Sequence, residues 1–154
     1  MSYVYEHGSG TEQDPYQVWT AEDLDGVRDH LDSYFIQMAN IDLSSYANWI
    51  PIGDSGDHFE GCYNGNNYKI TNLIINDSDW MNNKGLFGYC YGWSENDEIE
   101  VHLENIILEN TSSTGRFYYS GLLAGEAWGT RFKNCRIIDS TIITAASHVG
   151  MLVG

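Results

Sequence analysis

Positive charge is scarce in this chain. Seven Lys and Arg stand against 22 Asp and Glu, giving a net charge of −15 over 154 residues. Nucleic acid and anionic lipid surfaces are bound through clustered Lys and Arg, so neither is an expected partner. Proline is nearly absent, at two residues, and the three cysteines (Cys62, Cys90 and Cys135) cannot all pair within one chain. None shows a CxxC or zinc spacing, so they read as small apolar residues and free thiols, at home in a reducing compartment. No window nears the ~18 apolar residues of a membrane span, so membrane insertion is not expected. The opening Met1-Ser2-Tyr3-Val4-Tyr5-Glu6-His7 has neither the basic region nor the apolar run of a secretory leader. The expectation is a chain that folds in the cytoplasm or one whose leader has been removed. P-loop, dinucleotide, GxSxG and HExxH fingerprints are all missing, and no cofactor is expected. Asp54-Ser55-Gly56-Asp57 reads as an Asx turn, since the remainder of a calcium loop does not follow.

What the chain does have is glycine, 16 residues, and 14% aromatics, which suit many short strands and tight turns. It also repeats itself. Gly85-Leu-Phe-Gly88, Gly121-Leu-Leu-Ala-Gly125 and Gly150-Met-Leu-Val-Gly154 alternate with three strand-like stretches at residues 70–75, 103–108 and 132–137. Their asparagines, Asn72, Asn105 and Asn134, lie 33 and 29 residues apart. Such periods mark a solenoid, in which each repeat buries its apolar face on its neighbour. One domain spans residues 1–154, with an opening strand and capping helix over 1–33 and stacked coils over 34–154.

Tyr16-Gln17-Val18-Trp19 reads as the opening strand, after turn signals at Gly8-Ser9-Gly10 and Asp14-Pro15. Thr20 with Asp23 three residues on is a capping sequence. Leu24, Val27 and Leu31 then follow at helical spacing, which predicts a helix over about residues 21–32. Strands are expected at 34–38, 41–43, 59–63 and 68–75, with Pro51 at an edge or corner and a turn at 64–67.

Five ordered pieces resemble a module of bacterial surface and phage structural proteins. Gly8-Ser9-Gly10-Thr11…Pro15-Tyr16 looks like its GxGTxxxPY opening, and Thr20-Ala21-Glu22-Asp23-Leu24 like its TAEqL helix. Ile41-Asp42-Leu43 with Trp49-Ile50-Pro51-Ile52-Gly53 resembles DIDL…W.PIG, with Asn40 replacing the first acid. Phe59-Glu60-Gly61…Asn64-Gly65-Asn66 resembles F.G..dGnG, and the Gly-Leu-Phe-Gly pieces resemble GLUG-motif repeats. The resemblance covers nearly the whole chain. It implies an all-β fold, a right-handed parallel β-helix with a short N-terminal capping helix, and it implies no reaction.

In such a fold each coil stacks on the next at about 4.8 Å. Asparagine tolerates the left-handed backbone of a corner, and stacked amides can bond along the axis. Asn72, Asn105 and Asn134 are therefore expected to lie one above another, as are Leu73, Ile106 and Cys135, then Ile75, Leu108 and Ile137. Gly85, Gly121 and Gly150 mark a second corner.

Departures from the repeat become loops on a rigid frame. Gly85 to Asn105 is seven residues longer than Gly121 to Asn134, and the excess falls in the acidic stretch Trp93 to Glu100. The candidate ligand residues are Trp93, Glu95, Asp97 and Glu98 there, with Tyr118 and Tyr119 beside Arg116 and Phe117, and Trp128; Trp80 is a neighbour. Aromatic faces beside carboxylates suit a surface glycan, although alternate aromatics also simply fill strand cores. The five histidines are scattered, and no pair of acids stands out as a glycosidase couple.

The resulting expectation is a non-enzymatic structural or attachment protein of a virion: a tail fibre, spike or surface decoration. The alternatives are a fragment of a bacterial cell-surface adhesin and, third, a polysaccharide-cleaving enzyme. The open apolar repeat at residues 150–154 adds an expected protein partner, a homo-oligomer such as a trimer, or further chain.

Overall fold

The computed structural model describes residues 2–77, 83–92, 101–116, 118–144 and 148–154. The opening strand β1 (Tyr16–Val18) leads into α1 (Ala21–Gly26), extended by one 3₁₀ turn, Val27–Asp29. Four passes of strands follow. The first holds β2 (Tyr34–Gln37) and β3 (Ile41–Asp42). The second holds β4 (Cys62–Asn64), β5 (Lys69–Thr71), β6 (Ile74–Asp77) and β7 (Phe87–Tyr91). The third holds β8 (Val101–Glu104), β9 (Ile107–Glu109), β10 (Ser112–Gly115), β11 (Tyr119–Gly121) and β12 (Ala124–Trp128). The fourth holds β13 (Thr130–Lys133), β14 (Arg136–Ile138), β15 (Thr141–Thr144) and β16 (His148–Gly150).

The fold is all-β with one short helix, and each ladder between these strands is parallel. The sheet orders are β1-β2-β4-β8-β13, β3-β5-β9-β14, β6-β10-β15, β7-β12 and β11-β16. From the first pass onward, neighbours within a sheet are equivalent strands one pass apart. Parallel strands cannot be joined by a hairpin, and here the rest of each pass is the crossover.

Register aligns the apolar positions. Phe35, Tyr63, Leu103 and Phe132 form one row, and Ile41, Ile70, Leu108 and Ile137 another. Except for the fourth-pass members, these side chains are essentially fully buried, each burial contributing about 1.5–3 kcal/mol. Phe59 lies with its ring centroid 4.7 Å from that of Phe87 and 6.4 Å from that of Phe35, which ties the first two passes together.

The helix starts as its sequence dictates. The Thr20 hydroxyl accepts the Asp23 N–H, and the Asp23 carboxylate accepts the Thr20 N–H at 2.9 Å, a reciprocal capping box. The α-helix ends at Gly26, short of the expected residue 32. Its last turn carries no base, and Asp25, Asp29 and Asp32 put negative charge where the helix dipole is already negative. Leu24 and Val27 are fully buried. Arg28 then donates to the carbonyls of Ile50 and Pro51 at 3.0 and 3.3 Å, and its guanidinium lies 5.3 Å from the Trp49 ring centroid, pinning the corner that holds Pro51.

The asparagines form two ladders, not one. Asn134 donates to Asn105 at 3.1 Å, and Asn105 donates to Asn64 at 3.0 Å. Separately, Asn110 donates to Asn72 at 2.6 Å, and Asn72 donates to the carboxylate of Asp42 at 2.8 Å. Asn72, Asn105, Asn110 and Asn134 all have φ between 53° and 60°. With Asn66 and Asn67 in the second pass and Asp139 in the fourth, the second, third and fourth passes each turn two corners at left-handed residues. The expected stack of Asn72 on Asn105 fused them: Asn72 belongs to the second corner, Asn105 and Asn134 to the first. For the same reason the strand expected over 68–75 is broken at Asn72. Leu73 sits under Thr111 rather than Ile106, and Ile75 pairs with Ser113 rather than Leu108. Ile106 with Cys135, and Leu108 with Ile137, do stack as expected.

The glycine corner is as expected. Gly121 pairs with Gly150, and the Lys84–Ser120 bridge brings Gly85 alongside Gly121. A Cβ on Gly85 would lie 2.8 Å from the Gly121 carbonyl oxygen, so close backbone approach requires glycine there.

A candidate ligand face on the outer side of strands β7 and β12

Residues alternate in and out along a strand. In β7, Cys90 is buried, which turns its neighbours Tyr89 and Tyr91 outward; Phe87 is buried as well, so the alternation does not carry through Gly88. In β12, Ala127 pairs with Cys90 and packs against the core, and Glu126 and Trp128 on either side of it face the same way as the tyrosines they pair with: Tyr89 with Glu126, Tyr91 with Trp128. The Phe59–Cys90 bridge puts His58 beside Tyr89 and Glu60 beside Tyr91. The result is a grid three strands high. One column reads His58, Tyr89, Glu126, and the other Glu60, Tyr91, Trp128.

Ring contacts and hydrogen bonds hold the grid. The His58 ring centroid lies 4.8 Å from that of Tyr89 and 5.1 Å from that of Tyr91, and the tyrosine rings stack at 6.2 Å. Trp128 donates its indole N–H to Glu126 Oε1 at 2.8 Å, and Asn83 donates its amide to Glu126 Oε2 at 3.0 Å. Burial, then the neighbouring Glu126, Tyr91 and Tyr119, raise the Tyr89 pKa, so its phenol keeps its proton at neutral pH. Trp128 is 58% exposed. The face therefore presents π surfaces, a phenolic donor and an oriented carboxylate to solvent.

Of the residues expected to bind ligand, Trp128 is part of this face. Tyr119 lies next to it and stacks on His148 at 4.7 Å. Tyr118 is exposed but pairs with no member of the grid in the strand register. Trp93, Glu95, Asp97 and Glu98 lie outside the described residues, as do Trp80 and Phe117. The excess length does fall where expected: Tyr91 to Val101 aligns with Trp128 to Thr130. The sequence reading missed His58, Glu60, Asn83, Tyr89, Tyr91 and Glu126. A signal for part of this was present. Aligning Gly-Leu-Phe-Gly88 with Gly-Leu-Leu-Ala-Gly125 on their last glycines sets Tyr89 against Glu126 and Tyr91 against Trp128.

Elsewhere, a cavity of about 250 Å³ lies against the outer side of β2, β4 and β8, lined by Glu12, Tyr34, Cys62, His102 and Glu104 among others. Burial pushes the Cys62 thiol up, away from the thiolate form a nucleophile needs. Asp54 accepts the N–H groups of Gly56 and Asp57 at 2.7 and 3.0 Å, the Asx turn its sequence suggested. Among the described residues no group of three or more His, Cys, Asp or Glu is placed to hold a metal, and no helix is long and apolar enough to cross a membrane.

No family model matches the chain. It is 40% identical, over 75% of its length, to a protein of Evansella cellulosilytica provisionally named a Gly-rich membrane protein. It is 32% identical, over 96% of its length, to halomucin of Haloquadratum walsbyi. The chain spans 13% of the first relative and 2% of the second. Among solved structures, a Bacteroides ovatus protein provisionally named an immunoglobulin A1 protease superposes with a TM-score of 0.58 at 19% identity, covering 97% of this chain and 64% of that one. That likeness is one of fold.

Proposed function

We propose that this chain is a right-handed parallel β-helical segment of a large cell-surface protein, with a structural and attachment role and no catalysis of its own. The observation that carries the reading is the pass-on-pass register: equivalent strands pair in parallel, and two amide ladders run the same way through it. Strand–crossover–parallel strand connections are right-handed in nearly all proteins, which supports that hand. A coil that buries its core on its neighbours can be inserted into a long chain as a unit. The small share of both relatives that the chain spans, and their names, favour the surface-adhesin alternative over the virion reading, which has the motif resemblance behind it and nothing further.

Asp23, Asp42 and Asp54 are held below the usual carboxylate value by hydrogen bonds, which suits them to structural roles and not to that of the protonated carboxyl in glycoside cleavage.

The test is accessibility on intact cells of the source organism. Antibody raised against this chain should label intact cells as strongly as permeabilised ones. Labelling that requires permeabilisation would overturn the surface reading.

A further inference from the structure

We infer that the outer face of β7 and β12 binds an uncharged polysaccharide chain, with sugar rings lying on Tyr91 and Trp128 and hydroxyls bonded to Glu126. This deepens the attachment reading and rests on it for its biological setting, though not for its chemistry.

Four observations carry the assignment. Tyr91 and Trp128 stand on adjacent strands at the same register, their backbones about one strand spacing, near 4.8 Å, apart. That arrangement offers a track rather than a point. Second, the track is not apolar throughout: Glu126 sits in the row next to Trp128 and is oriented from both sides, by the Trp128 indole and the Asn83 amide. A carboxylate has about four acceptor sites, and those two bonds use half of them. Sugars present the matching pair of surfaces, a C–H face for the rings and hydroxyl donors for the carboxylate. Third, the face is open, with Trp128 exposed and Tyr89, Tyr91 and His58 partly so. Among the described residues it lacks the enclosing walls that a single small molecule requires, an arrangement suited to a polymer that runs on past the site. Fourth, charge selects within the class. Glu60 and Glu126 both sit on the grid, and the chain carries −15 overall. A uronate, sulfate or sialate polymer would be repelled.

Affinity electrophoresis of the whole chain tests this. Native gels would contain hydroxyethyl cellulose, laminarin, yeast mannan or soluble glycol chitin, with alginate as the anionic comparison. Retardation is expected in at least one neutral gel and absent in alginate. Trp128→Ala, and separately Tyr91→Ala, should weaken that affinity tenfold or more, and Glu126→Gln less. Ile143→Ser, at an exposed position on β15 away from the face, should leave it unchanged. Trp128 is exposed, so its variant should keep the parent circular dichroism spectrum, and Tyr91→Ala is read only if its spectrum matches too. Unchanged mobility in every neutral gel, equal retardation of Trp128→Ala, or stronger retardation in alginate would overturn the proposal. A dimer in sedimentation that Trp128→Ala dissolves, without glycan retardation, would also overturn it and assign the face to a second copy. None of these results bears on cell-surface exposure, so failure here and failure of the surface reading are distinguishable.

Discussion

The third pass of the chain, residues 101–128, and the fourth, residues 130–153, pair strand for strand, yet they bury their side chains very differently. In β8, Val101 and Leu103 are fully buried, whereas Phe132, the β13 partner of Leu103, is only partly so. Leu108 is fully buried, and Ile137 directly above it is not. The sharpest case is Ser113, a hydroxyl with no exposure, beneath Ile142, an aliphatic side chain that keeps some. Hydrophobicity of the residue does not decide this. Among the described residues the third pass has a pass on either side, and the fourth has one below. Burial in a stacked fold is set by neighbours along the stack.

This comparison is open to direct attack. The largest effect is expected for Leu108→Ala, which removes a buried aliphatic from between two passes and should cost about 3–4 kcal/mol in urea unfolding. Ile137→Ala, one pass higher in the same row, should cost about half as much, because part of that side chain already meets water. Equal losses would mean that burial along the stack is not what distinguishes the passes.

The amide ladder gives a second, smaller contrast. Asn105 both donates to Asn64 and accepts from Asn134, at φ 54°. Asn105→Ala removes two bonds at about 1 kcal/mol each and puts in the left-handed region a residue without asparagine's tolerance of it, for up to about 1–2 kcal/mol more. Asn105→Gly should recover the backbone share and lose only the bonds. Asn134→Gly, which removes a single ladder bond, should cost about 1 kcal/mol. If Asn105→Gly proves no milder than Asn105→Ala in thermal melts, the corner is not held by its left-handed backbone.

How much of this was legible beforehand follows from what each signal measures. The repeat period was readable, because glycines at close backbone approaches and asparagines at left-handed corners recur with the passes. The helix start was readable from Thr20 and Asp23, since capping is local chemistry. The Asn72 assignment was not: Ile-Thr-Asn-Leu-Ile-Ile and Leu-Glu-Asn-Ile-Ile-Leu look alike, and only the pairing of Thr71 with Glu109 shows that they flank different corners. The ligand face was half legible. Trp128 stood out as a large aromatic, but Tyr89 and Tyr91 fit equally well as core residues until burial of Cys90 fixed which side of β7 faces in. His58 reaches the face from a different pass, a relation that no local pattern in the sequence encodes.

The smallest predicted effect lies at the other end of the molecule and depends on pH. Burial opposes the charged form of Asp23, but hydrogen bonds from the Tyr3 hydroxyl and the Trp19 and Thr20 N–H groups outweigh it, so its pKa falls below the ordinary 3.8. A carboxylate depressed in the folded state stabilises fully above its unfolded pKa, and that contribution is lost as pH drops through the folded value. Stability should therefore decline below about pH 4, and Asp23→Asn should be less stable at neutral pH with a shallower acid decline. Parallel pH curves for parent and variant would contradict the capping account.

The most direct test of the stacking claim is native-state hydrogen exchange, resolved by peptide along the chain. Peptides 101–109 hold β8 and β9, which are paired on both sides, and 130–138 hold β13 and β14, which end the same two sheets among the described residues, so the comparison is made at amides bonded across the shared ladders. If neighbours along the stack set stability, the third-pass peptides will exchange far more slowly than the fourth-pass ones, with protection of 101–109 approaching the global unfolding limit. Equal protection of the two would contradict the account.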